Sequence, residues 1–148
     1  MSEDIIEIRE IQYGSADYPE ALKLREIILR KPLGLTFKKD FLKGDEDDFH
    51  FAAYLNRELI AVLQLKPINY DCVKMRQVAV KGNLQGLGVG QRLVQYSEEF
   101  AKGKGFNRIE LHARETALRF YMHLGYTMTD PEFYEVGIPH RKMYKELL

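Results

Sequence analysis

The stretch Val78–Gly105, VAVKGNLQGLGVGQRLVQYSEEFAKGKG, decides how the rest of the chain is read. It passes from a β-branched run, through a turn spaced by glycines, into a segment with helical periodicity. Val89, Leu93, Tyr96 and Phe100 recur along one helical stripe. Lys102, Lys104 and Gly105 supply the basic, glycine-terminated end of a helix. At a strand-to-helix junction the first helical amides lack intrahelical partners, and the macrodipole is positive there. Glycines at Gly86, Gly88 and Gly90 remove the Cβ atoms that would hold an anion away from those amides. The junction therefore reads as a cradle for a phosphate or pyrophosphate. Turn chemistry and close helix packing are the plainer use of the same glycines.

Two familiar phosphate loops fit poorly. A P-loop ends in Gly-Lys-Ser/Thr, whereas Gly90 is followed by Gln91-Arg92. A dinucleotide fingerprint needs G-x-G-x-x-G with an acid about 20 residues further on. Here the glycines run G-x-G-x-G, late in the order of elements, and Glu110 does not sit convincingly at a ribose-binding strand end.

Outward from the junction, Ile5–Ile11 alternates as a strand with one wet face. Ala21, Leu24 and Ile28 then mark a helix whose first turn tolerates Pro19, with Ser15 or Asp17 as its cap. Pro32–Asp48 is irregular, a short helix or loop rich in charge. Phe49–Leu55 and Leu59–Leu65 flank a turn at Asn56-Arg57-Glu58 and predict a hairpin, followed by a third strand over Tyr70–Val80. After the long helix, FNRIELHA is a strand with Ile109 and Leu111 on one side. ETALRFYMHLG is a short helix closed by Gly125, and two strands surround a Gly137–Pro139 break. Hairpins followed by a β-α-β passage predict an α+β or mixed α/β domain spanning the chain.

Composition narrows the function classes. Hydrophobic residues are 45% and charged residues 30% of the 148, as in an ordinary globular protein rather than a disordered one. Lys plus Arg equals Asp plus Glu at 22 each, so net charge gives no support for nucleic-acid or membrane partners. The single Cys72 excludes an internal disulfide or a cysteine-rich metal site. The acidic N-terminus does not read as a signal peptide and no apolar run reaches membrane length, which together predict a cytoplasmic protein.

The segment Gln85-x-x-Gly88-x-Gly90 resembles the acyl-CoA-binding motif of the GNAT acetyltransferase superfamily. QVAV before it resembles that family's central strand, and ALRFYMHLGY resembles its second signature, a short helix carrying Phe-Tyr and closing on Gly-aromatic. The match covers residues 73–129 and the element order agrees over nearly the whole chain. The ending FYEVGIPHRKM resembles a bacterial branch with Gly-Ile-Pro-His in its last strands, and the Leu24-Arg25 pair resembles the same branch; for Arg25 the plain alternative is surface solvation. The resemblance implies a central, mostly antiparallel twisted sheet of roughly six or seven strands with a splayed central pair, flanked by about four helices. It implies acetyl-CoA as acyl donor, no metal, and a small-molecule or peptide amine as acceptor.

Carried over residue by residue, the resemblance gives the pantetheine arm the main chain of Val78, Ala79 and Val80. It gives the diphosphate the amides of Gln85, Gly86, Leu87, Gly88, Val89, Gly90 and Gln91. Tyr121 matches the tyrosine that stands by the departing thiolate, with core packing beside Phe120 as its alternative reading. An amine must lose its proton before attack, and Glu110, Glu135 and His140 are the candidate bases; His140 reads equally as a rim or packing residue. Two departures stand out: Thr116 occupies the position of a cofactor-touching Asn, and Lys81-Gly82 replaces the usual proline after the central strand. His50, His112 and His123 lack ligand spacing and read as structural or surface residues. The acidic run Asp45–Asp48 reads as a solvated loop or as an attractor for a cationic amine. A catalytically silent acyl-CoA-binding sensor fits the same loop, and the acceptor and a homodimer through the final strands stay open.

Overall fold

Residues 5–34 and 42–148 are described by the structure, a computed structural model; of Asp130 the backbone alone is described. Part of the irregular Pro32–Asp48 reading, residues 35–41, lies outside them. Seven strands form one sheet in the order β1-β2-β3-β4-β5-β7-β6. They are β1 (Ile6–Ile11), β2 (Phe49–Leu55), β3 (Glu58–Pro67), β4 (Cys72–Val80), β5 (Arg108–Arg114), β6 (Thr127–Glu135) and β7 (Ile138–Glu146). All neighbours are antiparallel except β4 and β5. The two hairpins turn as expected: Asn56 and Arg57, and likewise Val136 and Gly137, hold consecutive positive φ values, the backbone that matches strand twist in two-residue loops.

Among the described residues three α-helices cover the faces: α1 (Asp17–Arg25), α2 (Val89–Gly103) and α3 (Leu118–His123). Helix α2, with α3, packs on one face, where Leu93, Val94 and Leu124 join Phe51, Leu63, Val73, Ile109 and Met143. Helix α1 packs on the other, against Ala52, Val62 and Ala79. The buried stripe of α2 is rotated from the expected one: Val94, Ser97 and Ala101 are buried, while Tyr96 is partly exposed and touches Phe51 by its edge. Neither Ser15 nor Asp17 caps α1; its N-cap is Ala16, with no side-chain bond. Past Arg25 the helix widens into a π turn, Glu26–Arg30, and then tightens over Lys31–Leu33. Among the described residues no helix is long and apolar enough to cross a membrane.

Half of the acidic run departs from its reading as a solvated loop, and Arg25 from its alternative reading as a surface residue. Asp45 is fully buried, and its carboxylate accepts bonds from Tyr18 Oη (2.6 Å), Arg25 Nη1 (2.7 Å) and Gln64 Nε2 (3.1 Å). His50 Nε2 donates to the Asp45 carbonyl at 2.6 Å. Burial acts to raise the Asp45 carboxyl, but these donors outweigh it and hold the group below its ordinary value. Asp48 is buried too and, with fewer donors, is pushed up by burial. Arg25 is therefore a core residue, and half of the acidic run is spent inside the protein. The network clamps the chain leading into β2 onto α1.

Breaking a buried pair leaves one charge without compensation. Arg25→Met should thus destabilise the protein by about 3–5 kcal/mol in urea unfolding, and Arg25→Met with Asp45→Leu by less. The Asp45 contribution is present above its unfolded pKa, near pH ~4, and is lost as pH falls through its lower folded value. Asp45→Asn should remove that part of the acid limb.

Candidate active site

The parallel ladder between β4 and β5 is short. Cys72–Met75 pairs with Arg108–Leu111, and there it stops. Arg76–Val80 stays with β3, while His112–Arg114 stays with β7. The register of β3 against β4 slips at the same place, with Leu63 facing both Gln77 and Val78. Gln77 takes φ +55°, the left-handed region that non-glycine residues seldom enter. The extra residue changes the alternation of β4. Arg76 and Gln77 both reach toward the α1 side, to Asp48 (3.4 Å) and Arg30 (3.0 Å), whereas Val78 and Val80 pack with the α2 side.

A cleft of about 820 Å³ occupies the parting. Its walls come from both faces of the sheet: Val78, Ala117 and Tyr121 from the α2 side, and His112, Glu135 and His140 from the other. Tyr121 is buried, edge-on to Phe120 (5.0 Å) and Tyr126 (5.7 Å). Burial raises its phenol above the ordinary value, so the hydroxyl keeps its proton. His140 is buried with Nδ1 2.9 Å from the Ile138 carbonyl. A carbonyl only accepts, which assigns the proton to Nδ1 and leaves Nε2 as the basic atom of the neutral ring. That Nε2 lies 3.6 Å from Glu135 Oε2, and the other oxygen of Glu135 lies 3.0 Å from His112 Nδ1. Two imidazoles thus share one carboxylate at the cleft wall. Among the described residues no cluster of His, Cys, Asp or Glu could hold a metal ion.

The glycine junction adjoins this cleft without lining it. Gly86 (φ +91°) and Gly88 (φ +81°) adopt left-handed backbone with open space where a Cβ would stand. Gly90 has a different reason: a Cβ there would lie 3.4 Å from Phe120 Cζ and from Val80 Cγ2. The first intrahelical bond of α2 runs from Arg92 N–H to Gly88 O, and no side chain caps the helix. The amides of Val89, Gly90 and Gln91 therefore precede the first intrahelical donor. Gln85 and Leu87 donate backward at 3.4 Å within the turn. Gln85 Nε2 donates to Val80 O at 3.0 Å, tying the loop to the end of β4.

The structure thus brings Tyr121, His140 and Val78 around one cleft, with Val80 and Gly86–Gln91 beside it. Ala79 is buried toward α1, and Thr116 is exposed outside the cleft wall. Glu110 does not line the cleft; its carboxylate meets Arg108 Nε (3.2 Å) and Lys142 Nζ (3.9 Å). His112, read from sequence as structural, is a wall residue. The alternation of β5 carried the signal, because Leu111 faces the core and its neighbour must face away. Cys72 opens β4 as a buried residue whose thiol is pushed up by burial and by Glu110, which leaves it inert.

A seven-stranded mixed sheet parted between its parallel strands, with an open helix N-terminus beside the gap, is the architecture of the GNAT fold. The description "Acetyltransferase (GNAT) family" matches residues 4–126, and the chain belongs to that family. Over 135 residues it is 29% identical to the uncharacterized protein YyaT of Bacillus subtilis (strain 168), covering 89% of this chain and 90% of that protein. A Lactobacillus plantarum crystal structure superposes with TM-score 0.87 at 28% identity, over 97% of this chain and 99% of that one. A GNAT acetyltransferase from Elizabethkingia anophelis, solved with acetyl-CoA bound, shares the fold at TM-score 0.77 and 20% identity, over 96% and 98% of the two chains. The family match ends at Tyr126, so Glu135 and His140 lie beyond it.

The left-handed backbone makes Gly88 testable by itself. Gly88→Ala should cost about 1–2 kcal/mol in urea unfolding, with no clash to blame. Gly82, without positive φ and with equally open space, is the control: Gly82→Ala should be neutral or stabilising by up to about 1 kcal/mol.

Proposed function

We propose that the chain moves an acetyl group from acetyl-CoA to a primary amine by direct attack within a ternary complex. The observation that carries this reading is the parting of β4 from β5. It leaves main-chain groups of β4 without a partner strand and opens a passage between the two faces of the sheet. Family membership supports the acetyl-transfer class, and the acetyl-CoA held by the Elizabethkingia protein supports the donor.

The residues present fit that donor. The amides of Val89, Gly90 and Gln91, which have no intrahelical acceptor, with open space above Gly86 and Gly88, suit a pyrophosphate. The free edge of β4 at Val78–Val80 suits the amide-bearing pantetheine arm, and an N–H there would polarise the thioester carbonyl, by analogy with measured donors worth about 3–4 kcal/mol. When bound, the donor supplies an activated acetyl carbon.

On the other face, His140 takes the proton of the attacking amine at Nε2, and Glu135 offsets the charge the ring gains. Such a base is needed because a lysine-like amine is neutral in fewer than about one molecule in a thousand at pH 7. Tyr121 holds its proton and donates a hydrogen bond to the sulfur as charge develops there. Its raised pKa makes it a donor rather than an acid that gives the proton up. Glu110, with its carboxylate engaged by Arg108 and Lys142, is the weaker candidate for the base.

Thermal unfolding with acetyl-CoA against NAD and ATP tests the donor; saturation at ~100 times Kd should add about 2.7 kcal/mol. Thiol release with an amine panel tests the transfer. Tyr121→Phe should lower kcat about 10- to 100-fold while keeping the acetyl-CoA shift. His140→Gln should lower kcat by about 10² or more, most at neutral pH, where unassisted amines are protonated. Stabilisation by acetyl-CoA without turnover on any amine would instead support a silent binding module.

A further inference from the structure

The acceptor side of the cleft is unequally charged. Among the described residues six cations line it, Arg30, Lys43, Lys66, Lys74, Arg76 and Arg114, against one carboxylate, Glu135. Arg76 among them is paired with Asp48 and Arg30 has partners of its own, so the imbalance rests on Lys74 and Arg114. Asp45 is engaged by Arg25 in the core, and Asp48 shares one oxygen between Gln64 (3.0 Å) and Arg76 (3.4 Å). Arg114 Nη2 donates to a neutral carbonyl, Leu29 O, at 2.9 Å. Among the described residues Lys74 Nζ has no carboxylate at ion-pair distance. Arg30 holds Gln77 Oε1 at 3.0 Å, so the bulge of β4 itself is tied to a cation.

We propose that the acceptor amine carries an anionic group, a carboxylate or a phosphate, which Lys74, Arg76 and Arg114 bind on the α1 side of the cleft. This rests on the acetyl-transfer reading for the amine and deepens it by naming the acceptor class. The three cations stand on neighbouring strands: Lys74 and Arg76 on β4, and Arg114 at the end of β5, where β7 brings His140 opposite it. An acceptor anchored there presents its amine toward the parting, His140 and Tyr121. The cluster is also separate from the glycine junction, because Val80 and Gly90 pack together on the α2 side. It does not duplicate the pyrophosphate cradle.

The electrostatic state of the cations agrees. Burial lowers the Lys74 ammonium below its ordinary value; Glu135 opposes that shift, and Arg76 and Lys66 add to it. Burial likewise lowers Arg114, against Glu135, and pulls Arg30 down to about 10, with Arg25 adding to it. Cations desolvated beside like charges are strained until an anion arrives. A polycationic acceptor would meet repulsion on the same wall. Of the acidic run read as a solvated loop or a lure for cationic amines, Asp45 and Asp48 face the core network, and the exposed Glu46 and Asp47 do not line the cleft.

The test compares matched amines at fixed acetyl-CoA: an amino acid against its amide, an amino sugar phosphate against the free amino sugar, and a polyamine. The anionic member of at least one pair should win in kcat/KM by about tenfold or more. Which pair wins separates carboxylate from phosphate. Lys74→Gln and Arg114→Gln should each erase most of that preference by raising KM for the anionic amine, with KM for acetyl-CoA unchanged. Two substitutions are used so that one misfolded variant does not decide the matter. Equal use of neutral and anionic members, preference for the polyamine, or a preference untouched by both substitutions would overturn the proposal. Failure of the donor reading would appear separately, as no thermal shift with acetyl-CoA. The same amine pairs are then read by thermal shift without donor, where stabilisation by the anionic member alone, lost in both variants, supports the cation site and its absence refutes it.

Discussion

Where a strand leaves its neighbour inside a sheet, its main-chain N–H and C=O groups lose their partners, and a buried unpaired group costs as much as a lost hydrogen bond. In this protein β4 leaves β5 after Met75, and the cleft opens at that departure. The bulge at Gln77 sets it in motion. A non-glycine residue at φ +55° is strained, and Arg30 holds its side chain in place. Unpaired edge groups are the feature that a bound thioester arm would relieve, since it can pair with the edge as a strand does.

The same departure lets the two faces of the sheet communicate. On the α2 side stand the glycine junction, Gly90 packed to Phe120, and Tyr121 next in sequence. On the α1 side stand His112, Glu135, His140 and the cations. Donor and acceptor can therefore approach from opposite faces and meet in the gap, which is what direct transfer requires. The Asp45 network contributes at a distance, because it fixes α1 and the chain before β2 and keeps the Asp45 carboxylate with Arg25 rather than with the cationic wall.

Much of this was legible in the sequence, for reasons that differ between elements. Glycines in left-handed turns, the Asn56-Arg57 hairpin and the periodicity of α2 are local signals, and local signals survive without tertiary context. The bulge at Gln77 left no mark, because its residues read as an unbroken β run. The π turn at Glu26–Arg30 was hidden by apolar spacing that continues through it. The burial of Asp45 and Arg25 was hidden because it depends on pairing across 20 residues. The alternation of β5 turns His112 away from the core, but its partner Glu135 reaches it from the edge strand β6. Pairing of that kind is written in no single stretch.

The claim on which the account turns is that the parted edge of β4, together with the glycine junction, receives the acyl donor. Titration of the ¹⁵N-labelled protein with acetyl-CoA, followed amide by amide, tests it directly. The account predicts the largest shifts at Val78–Val80 and at Gly86–Gln91, with β1 at the far edge of the sheet nearly silent. Shifts that spare both Val78–Val80 and the junction, or that concentrate on β1, would contradict it.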